Sequence, residues 1–152
     1  MDVLFENATI VVGLAADSKR QALQGLADQV AADCGLDARI VMEHLLERER
    51  LGATGVGGGV AMPHGRIAGL DRLAVGFAKL AEPVEYESPD GEPVDLLLLL
   101  LAPEDAGAVC LKALSKASRV LRSASVRSRL RGARDPEAVR AILLGDKESA
   151  AA

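Results

Sequence analysis

The sequence predicts one α/β domain in which helices cover both faces of a β-sheet, a three-layer α/β/α sandwich. Helical periodicity dominates the first third of the chain, strand-like apolar runs fill the middle, and helical periodicity returns at the end. The predicted strand over residues 94–101 is apolar except for Asp95, which is typical of a central strand that is covered on both faces. Elements in this order bury a sheet between two helical layers. We therefore expect a single domain over residues 1–147, followed by a disordered tail over residues 148–152.

The first third of the chain predicts one strand and two helices. A β-branched run over residues 9–12 predicts the strand, which ends at a glycine. The first helix begins after Asp17 or Ser18, either of which can cap it, and it ends at Gly35. The second helix spans residues 37–52, with an aspartate at its start and a glycine at its end.

The rest of the chain predicts a glycine-rich loop, two strands and three helices. Five of the eight residues over 52–59 are glycine, a composition that excludes a stable helix or strand interior. Residues 73–80 alternate as a strand does, and turn residues over 88–91 connect them to the strand over 94–101. Helical patterns predict a long helix and two short ones over residues 106–121, 125–130 and 136–144.

Composition and charge argue against nucleic-acid binding. The chain has only three aromatic residues, Phe5, Phe77 and Tyr86, so bases would have almost nothing to stack on. Its net charge of −4 argues against a general polyanion binder. Residues 112–140 nevertheless hold nine basic and two acidic side chains. We interpret this stretch as a solvated helical face, with a docking face for an acidic partner as the alternative.

The chain shows no pattern for export, membrane insertion or metal binding. Its longest apolar run, residues 96–102, is far shorter than the roughly 20 residues that span a bilayer. No signal-peptide pattern opens the sequence. Cys34 and Cys110 lack the spacing of a zinc site. We therefore expect a cytoplasmic protein with two free thiols, no metal, no cofactor and no direct membrane insertion.

His64 is the candidate nucleophile, held at the end of the glycine-rich loop and directly after Pro63. Neutral imidazole, whose unperturbed pKa is near 6.5, attacks phosphorus without a separate base. Backbone N–H groups of a glycine loop can then hold the anionic phosphoryl oxygens. Arg48, at the end of the second helix, can bind two such oxygens. Spacing alone fits a structural loop histidine and a surface arginine as well.

The segment from Arg48-Glu49 to His64-Gly65 closely resembles the signature of enzyme IIA domains of the bacterial phosphotransferase system. It reads Gly-Ala-Thr-Gly-Val-Gly-Gly-Gly-Val-Ala-Met-Pro-His-Gly from residue 52. The fructose/mannitol and nitrogen-regulatory group is the most similar branch, and the resemblance extends over roughly residues 3–144. It implies a mixed sheet between helical layers, phosphorylation of His64 and assistance by Arg48 at the phosphate.

The candidate phosphate-binding residues come from the loop and from one later helix: Thr54, Gly55, Gly57, Gly58, Gly59 and Cys110. Cys110 is a departure from the family, which usually has a second histidine there, and a neutral thiol is a poor substitute for its N–H donor. Ala53 and Gly58 also depart from the family's usual serine and asparagine. His44 lies one helical turn before Arg48 and could partly replace the second histidine, although we expect a surface or interface histidine there.

The resemblance implies a phosphotransferase component that carries a phosphoryl group on a histidine. Its donor would be an HPr-type phosphocarrier protein, and its acceptor a IIB domain or a regulatory target protein. We favour the nitrogen-regulatory type, because no IIB or membrane domain is fused within these 152 residues. The alternatives are a fructose-type enzyme IIA that passes phosphate to a IIB domain, and a binding module of the same fold that has lost transfer.

Overall fold

A six-stranded mixed sheet forms the middle layer of the protein in the computed structural model, which describes residues 3–145. Strand β6 at its centre is antiparallel to β5 and parallel to both β3 and β4, while β1 pairs with β5 and β2 with β3. The strands are β1 (Thr9–Leu14), β2 (Gly55–Gly57), β3 (Val60–Ala61), β4 (His64–Ile67), β5 (Ala74–Val84) and β6 (Val94–Pro103).

Five α-helices and a short 3-10 helix (Val3–Phe5) complete the described chain. Ser18 caps the first α-helix by accepting a hydrogen bond from the backbone N–H of Gln21, and Gly35 ends it with a φ of 68°. The second ends at Arg50, slightly before the predicted glycine. The α-helices are α1 (Lys19–Cys34), α2 (Ala38–Arg50), α3 (Gly107–Leu121), α4 (Ala124–Gly132) and α5 (Pro136–Leu143).

The apolar run of β6 divides the core into two clusters, one on each face of the sheet. Alternate leucines point to opposite faces because strand side chains have a period of two. One set packs with α1 and α2 and consists of Leu97, Leu99 and Leu101. The other set packs with α3, α4 and α5 and consists of Leu96, Leu98 and Leu100. The predicted three-layer α/β/α sandwich with a mixed sheet is therefore confirmed.

Two further sequence predictions can be compared with the described residues, and a third cannot. Cys34 and Cys110 are both free thiols, as expected. Over residues 3–145, no helix combines the length and apolarity needed to cross a membrane. The tail predicted over residues 148–152 lies outside the described part of the chain.

The glycine-rich segment differs from its prediction as an irregular loop. Gly55–Gly57 forms β2 and pairs with β3, and His64 is the first residue of β4 rather than a member of the loop. Pairing with β3 and β6 supplies these short strands with backbone hydrogen bonds, which local composition does not reveal. Strands of two to four residues are also too short to show a period.

Gly76 on β5 allows α1 to pack directly on the sheet. A Cβ at this position would lie 2.4 Å from Cγ2 of Val30, a β-branched side chain with little freedom in a helix. We expect Gly76→Ala to lower the free energy of unfolding by about 1–3 kcal/mol in urea denaturation. Gly132→Ala is the matched control, because its Cβ would meet nothing within 4 Å. Equal stability of the two variants would contradict this close packing.

Candidate functional site

The backbone around His64 is fixed by strand pairing on both sides. β4 begins at His64 and runs parallel to β6, in register with Leu100. The carbonyl oxygen of the preceding residue, Pro63, accepts a hydrogen bond of 3.0 Å from the N–H of Leu100. The N–H of Met62 donates to the carbonyl of Thr54 at 2.9 Å. His64 therefore projects from an ordered strand end, which gives its imidazole a defined base.

The two ring nitrogens of His64 have different partners. Nδ1 lies 2.9 Å from the carbonyl oxygen of Met62. Because a carbonyl only accepts, Nδ1 must carry the proton, and in the neutral ring Nε2 then holds the free lone pair. The Nε–H of Arg48 donates to this Nε2 at 3.3 Å. The half-buried imidazole thus presents the lone pair of Nε2 next to a positive charge.

Arg48 is held in place at the end of α2. Its Nη1 donates to the carbonyl oxygen of Gly52 at 2.9 Å, while its Nε contacts His64. Arg48 is half-buried and makes two hydrogen bonds, an environment that supports its predicted role at the site. By contrast, Arg50 is exposed and pairs with Glu47 at 2.8 Å. A guanidinium beside a nucleophile can neutralise charge that develops on a transferred phosphoryl group.

Two clefts meet at His64 and Arg48. The larger, with a volume of about 660 Å³, lies between α2, β4 and α3 and reaches Cys110. The smaller, of about 340 Å³, extends along β2 and is lined by Thr54 and Gly55. Three of the predicted phosphate-binding residues, Thr54, Gly55 and Cys110, are thus brought to the same place as the two predicted catalytic residues.

Gly57, Gly58 and Gly59 line neither cleft, and their role in phosphate binding stays a prediction. Gly57 ends β2, and Gly58 and Gly59 form the turn to β3, with φ values of 95°, 66° and 79° that favour glycine. The N–H of Gly58 donates to Asp90 at 3.0 Å and lowers the pKa of that carboxyl group. The carbonyl of Gly59 accepts from the N–H of Asp95. These glycines therefore fasten a turn, and the backbone N–H of Gly58 already has a partner.

Thr54 is buried and its polar groups are already bonded. Its N–H donates to Oε1 of Glu49 at 3.0 Å, and its hydroxyl donates to Oε2 of Glu49. Lys19 pairs with Glu49 at 2.9 Å, and the Tyr86 hydroxyl lies 3.1 Å from the Thr54 hydroxyl. Burial raises the pKa of Tyr86 far above its usual value, so its hydroxyl keeps its proton. The network anchors the end of α2 to β2 and thereby supports the neighbouring Arg48.

Removing the Glu49 carboxylate should destabilise the protein. Glu49→Ala leaves the buried N–H of Thr54 without its acceptor and removes the 2.9 Å ion pair of Lys19, and we expect a loss of about 2–3 kcal/mol in unfolding free energy. Glu47→Ala is the matched control on the same helix, since Glu47 makes only an exposed pair with Arg50 and should change stability by less than about 0.5 kcal/mol. Urea denaturation measures both. Similar losses would contradict the anchoring role.

Cys110 lines the larger cleft as a largely buried thiol that keeps its proton. Its side chain is 6% exposed, and burial raises its pKa, an effect only partly offset by the charge of Arg66. A thiol that keeps its proton is a weak nucleophile and a weak hydrogen-bonding partner. The expectation that Cys110 acts as a small filler on the buried stripe of α3 is consistent with this environment.

The sequence prediction missed several residues that line the larger cleft. Arg66 lies two positions after His64 on β4, and Glu104 follows β6. Arg66 could have been found from the alternation of side chains along β4, which places it on the same face as His64. A strand of four residues is too short to show that alternation in the sequence. Leu51 and Leu111 are 82% and 70% exposed at the rim of the same cleft. Exposed apolar side chains around a site indicate a surface that meets another molecule.

The comparisons with known proteins agree on one family. The family model described as "Phosphoenolpyruvate-dependent sugar phosphotransferase system, EIIA 2" matches residues 3–145. A nitrogen regulatory protein from Bradyrhizobium diazoefficiens is 48% identical over 134 residues, which is 88% of each chain. The crystal structure of nitrogen regulatory protein IIA-Ntr from Neisseria meningitidis superposes with a TM-score of 0.87 at 36% identity, covering 93% of this chain and 99% of that chain.

A more distant similarity concerns the fold alone. Enzyme IIA for mannitol from Escherichia coli, solved in complex with phosphorylated enzyme IIB, has a TM-score of 0.75 at 20% identity. The match covers 90% of this chain and 94% of that chain.

Proposed function

The chain belongs to the EIIA 2 family of the phosphoenolpyruvate-dependent sugar phosphotransferase system, and on that basis we propose that it is a histidine phosphocarrier of the nitrogen-regulatory type. In this proposal Nε2 of His64 accepts a phosphoryl group from another protein. The observation that carries it is the arrangement of the imidazole. Nδ1 is bonded to the Met62 carbonyl, and Nε2 faces the guanidinium of Arg48 at 3.3 Å.

The transfer step follows from this arrangement. The Nε2 lone pair of His64 attacks phosphorus, a new N–P bond forms, and the N–P bond of the donor phosphohistidine breaks. The bonding pair returns to the donor nitrogen. The proton on Nδ1 stays on the ring, where the Met62 carbonyl stabilises the charge that the ring gains. Arg48 exchanges its contact with Nε2 for contacts with the phosphoryl oxygens and offsets their negative charge.

The surroundings of His64 support a protein as the donor. Leu51 and Leu111 stand exposed at the rim of the larger cleft, and Val56, 56% exposed, stands at the rim of the smaller one. Exposed apolar side chains grouped around a cleft indicate a surface that contacts another protein. We propose an HPr-type phosphocarrier as the donor and a regulatory target protein as the reader of the phosphorylation state.

The regulatory type is supported by the identities of the relatives. The nitrogen regulatory protein of B. diazoefficiens shares 48% of its aligned residues with this chain, and the N. meningitidis IIA-Ntr structure shares 36%. The mannitol enzyme IIA, solved in complex with phosphorylated enzyme IIB, shares 20% and supports the fold alone. Transfer onward to a IIB domain is therefore the second candidate, and we place the regulatory role first.

Incubation with a phosphorylated HPr-type donor tests the proposal. We expect the protein to gain an acid-labile, alkali-stable phosphate, which is the behaviour of phosphohistidine. A failure to gain label from HPr-type donors, including the nitrogen-branch relative, would instead support a binding module that has lost transfer. Adding a IIB domain afterwards separates the two carrier types, because only the sugar-specific type should lose its label rapidly to IIB.

A further inference from the structure

His44 shares the larger cleft with the proposed phosphorylation site. It precedes Arg48 by four residues on α2, so both side chains leave the same face of the helix. His44, Arg48 and His64 all line this cleft. A Cβ built on Gly65, the residue directly after His64, would lie 3.6 Å from Cβ of His44. The side chain of His44 therefore begins in contact distance of β4, beside the reacting histidine.

The ring of His44 is tethered in the same way as the ring of His64. Its Nδ1 lies 2.9 Å from the carbonyl oxygen of Ile40 in its own helix, so Nδ1 must carry a proton and donate it. Nε2 is then the nitrogen left to bind a ligand, and His44 is exposed to solvent. Protonation of Nε2 would convert it into a positively charged hydrogen-bond donor without disturbing the tether.

The charges that face His44 show why a phosphoryl group would recruit such a donor. The charged and titratable groups that share the cleft come from α2, β4 and the segment from the end of β6 into α3: Glu47, Arg48, His64, Arg66, Glu104 and Cys110. The two arginines and two glutamates balance one another before phosphorylation. A phosphoryl group adds up to about two negative charges, and the protonated thiol on the opposite wall offers little to hold them.

We propose that His44 is the second phosphate-binding imidazole of this site, which takes up a solvent proton and donates from Nε2 to a phosphoryl oxygen on His64. The inference rests on the proposed phosphorylation of His64. Arg48 contacts Nε2 of His64 from the end of α2, and His44 reaches the phosphoryl group from one turn earlier on the same helix. Both positive groups then stand on one wall of the cleft.

The chain contains only two histidines, which makes the test direct. The imidazole of His44 is titrated by NMR in the unphosphorylated and the phosphorylated protein, with the phosphohistidine followed by its phosphorus signal. We expect the titration midpoint of His44 to rise by about one pH unit on phosphorylation. A midpoint that moves by less than about 0.3 units would overturn the inference. The absence of any phosphohistidine signal would be a failure of the proposed function and is distinguishable from this result.

A kinetic comparison gives an independent readout. We expect His44→Ala to slow phosphorylation by the donor about tenfold at pH 7, the worth of one charge-assisted hydrogen bond. Glu43→Ala, on the exposed surface of the same helix and outside the cleft, should behave as the wild type. Adding Cys110→His to the His44→Ala protein places an imidazole on the opposite wall and should restore at least part of the rate. Equal rates for His44→Ala and Glu43→Ala would refute the role.

Discussion

Replacing His64 with glutamine should abolish phosphoryl acceptance. The amide nitrogen of glutamine has no nucleophilic lone pair, whereas Nε2 of His64 holds one and accepts a hydrogen bond from Arg48. The side chain is only half-buried, so the variant should fold as the wild type does. The measurement is the phosphate bound per chain after incubation with a phosphorylated HPr-type donor, with circular dichroism as the control for folding.

The expected label for His64→Gln is no more than the background of an unphosphorylated donor. A variant that still gains one phosphate per chain would show that another group is the acceptor. His44 and Cys110 line the same cleft and would be the groups to examine. Such a result would remove the basis of the proposed mechanism, because the contacts that prepare Nε2 belong to His64 alone.

Replacing Arg48 with methionine should slow phosphoryl transfer about a hundredfold, since a fixed donor to developing charge is worth two to three powers of ten in comparable sites. The methionine keeps an apolar stem of similar length but removes the contacts with His64 and Gly52. The rate is measured under single-turnover conditions with the phosphorylated donor in excess.

Arg50→Met is the matched control for this change. Arg50 lies on the same last turn of α2, but its guanidinium is exposed and pairs with Glu47. Its loss should change the transfer rate by less than about twofold, because an exposed pair contributes little. If both variants lost the same activity, the effect would come from the general positive charge at this helix end and not from the contact with His64.

The long elements of the fold were predictable from sequence because their patterns are long. The six leucines of β6 predict a strand that is covered on both faces. The caps at Ser18 and Gly35 predict where α1 begins and ends. Short strands are different. β3 and β4 exist because the distant β6 offers them backbone partners, with Val60 opposite Leu96 and His64 opposite Leu100. β2 exists in turn because it pairs with β3.

Residues of the candidate site could be predicted where the chemistry of the side chain suggests a role. They could not be predicted where the role depends on contacts with distant residues. His64 and Arg48 were identified by resemblance, and the structure brings them to 3.3 Å. The contacts of Gly58 could not be predicted, because the side chains that bond to its N–H and its carbonyl, Asp90 and Arg131, come from distant parts of the chain. The glycine-rich composition indicates a tight turn, but it does not tell which side of that turn faces the nucleophile.

The position of the phosphoryl group on the ring of His64 tests the central claim most directly. Nuclear magnetic resonance of the phosphorylated protein, with nitrogen-15 in the imidazole rings, assigns the nitrogen that is bonded to phosphorus. We expect the N–P bond at Nε2, because the Met62 carbonyl holds the proton on Nδ1 and Arg48 stands at Nε2. An N–P bond at Nδ1 would require the hydrogen bond to Met62 to break and would contradict the account.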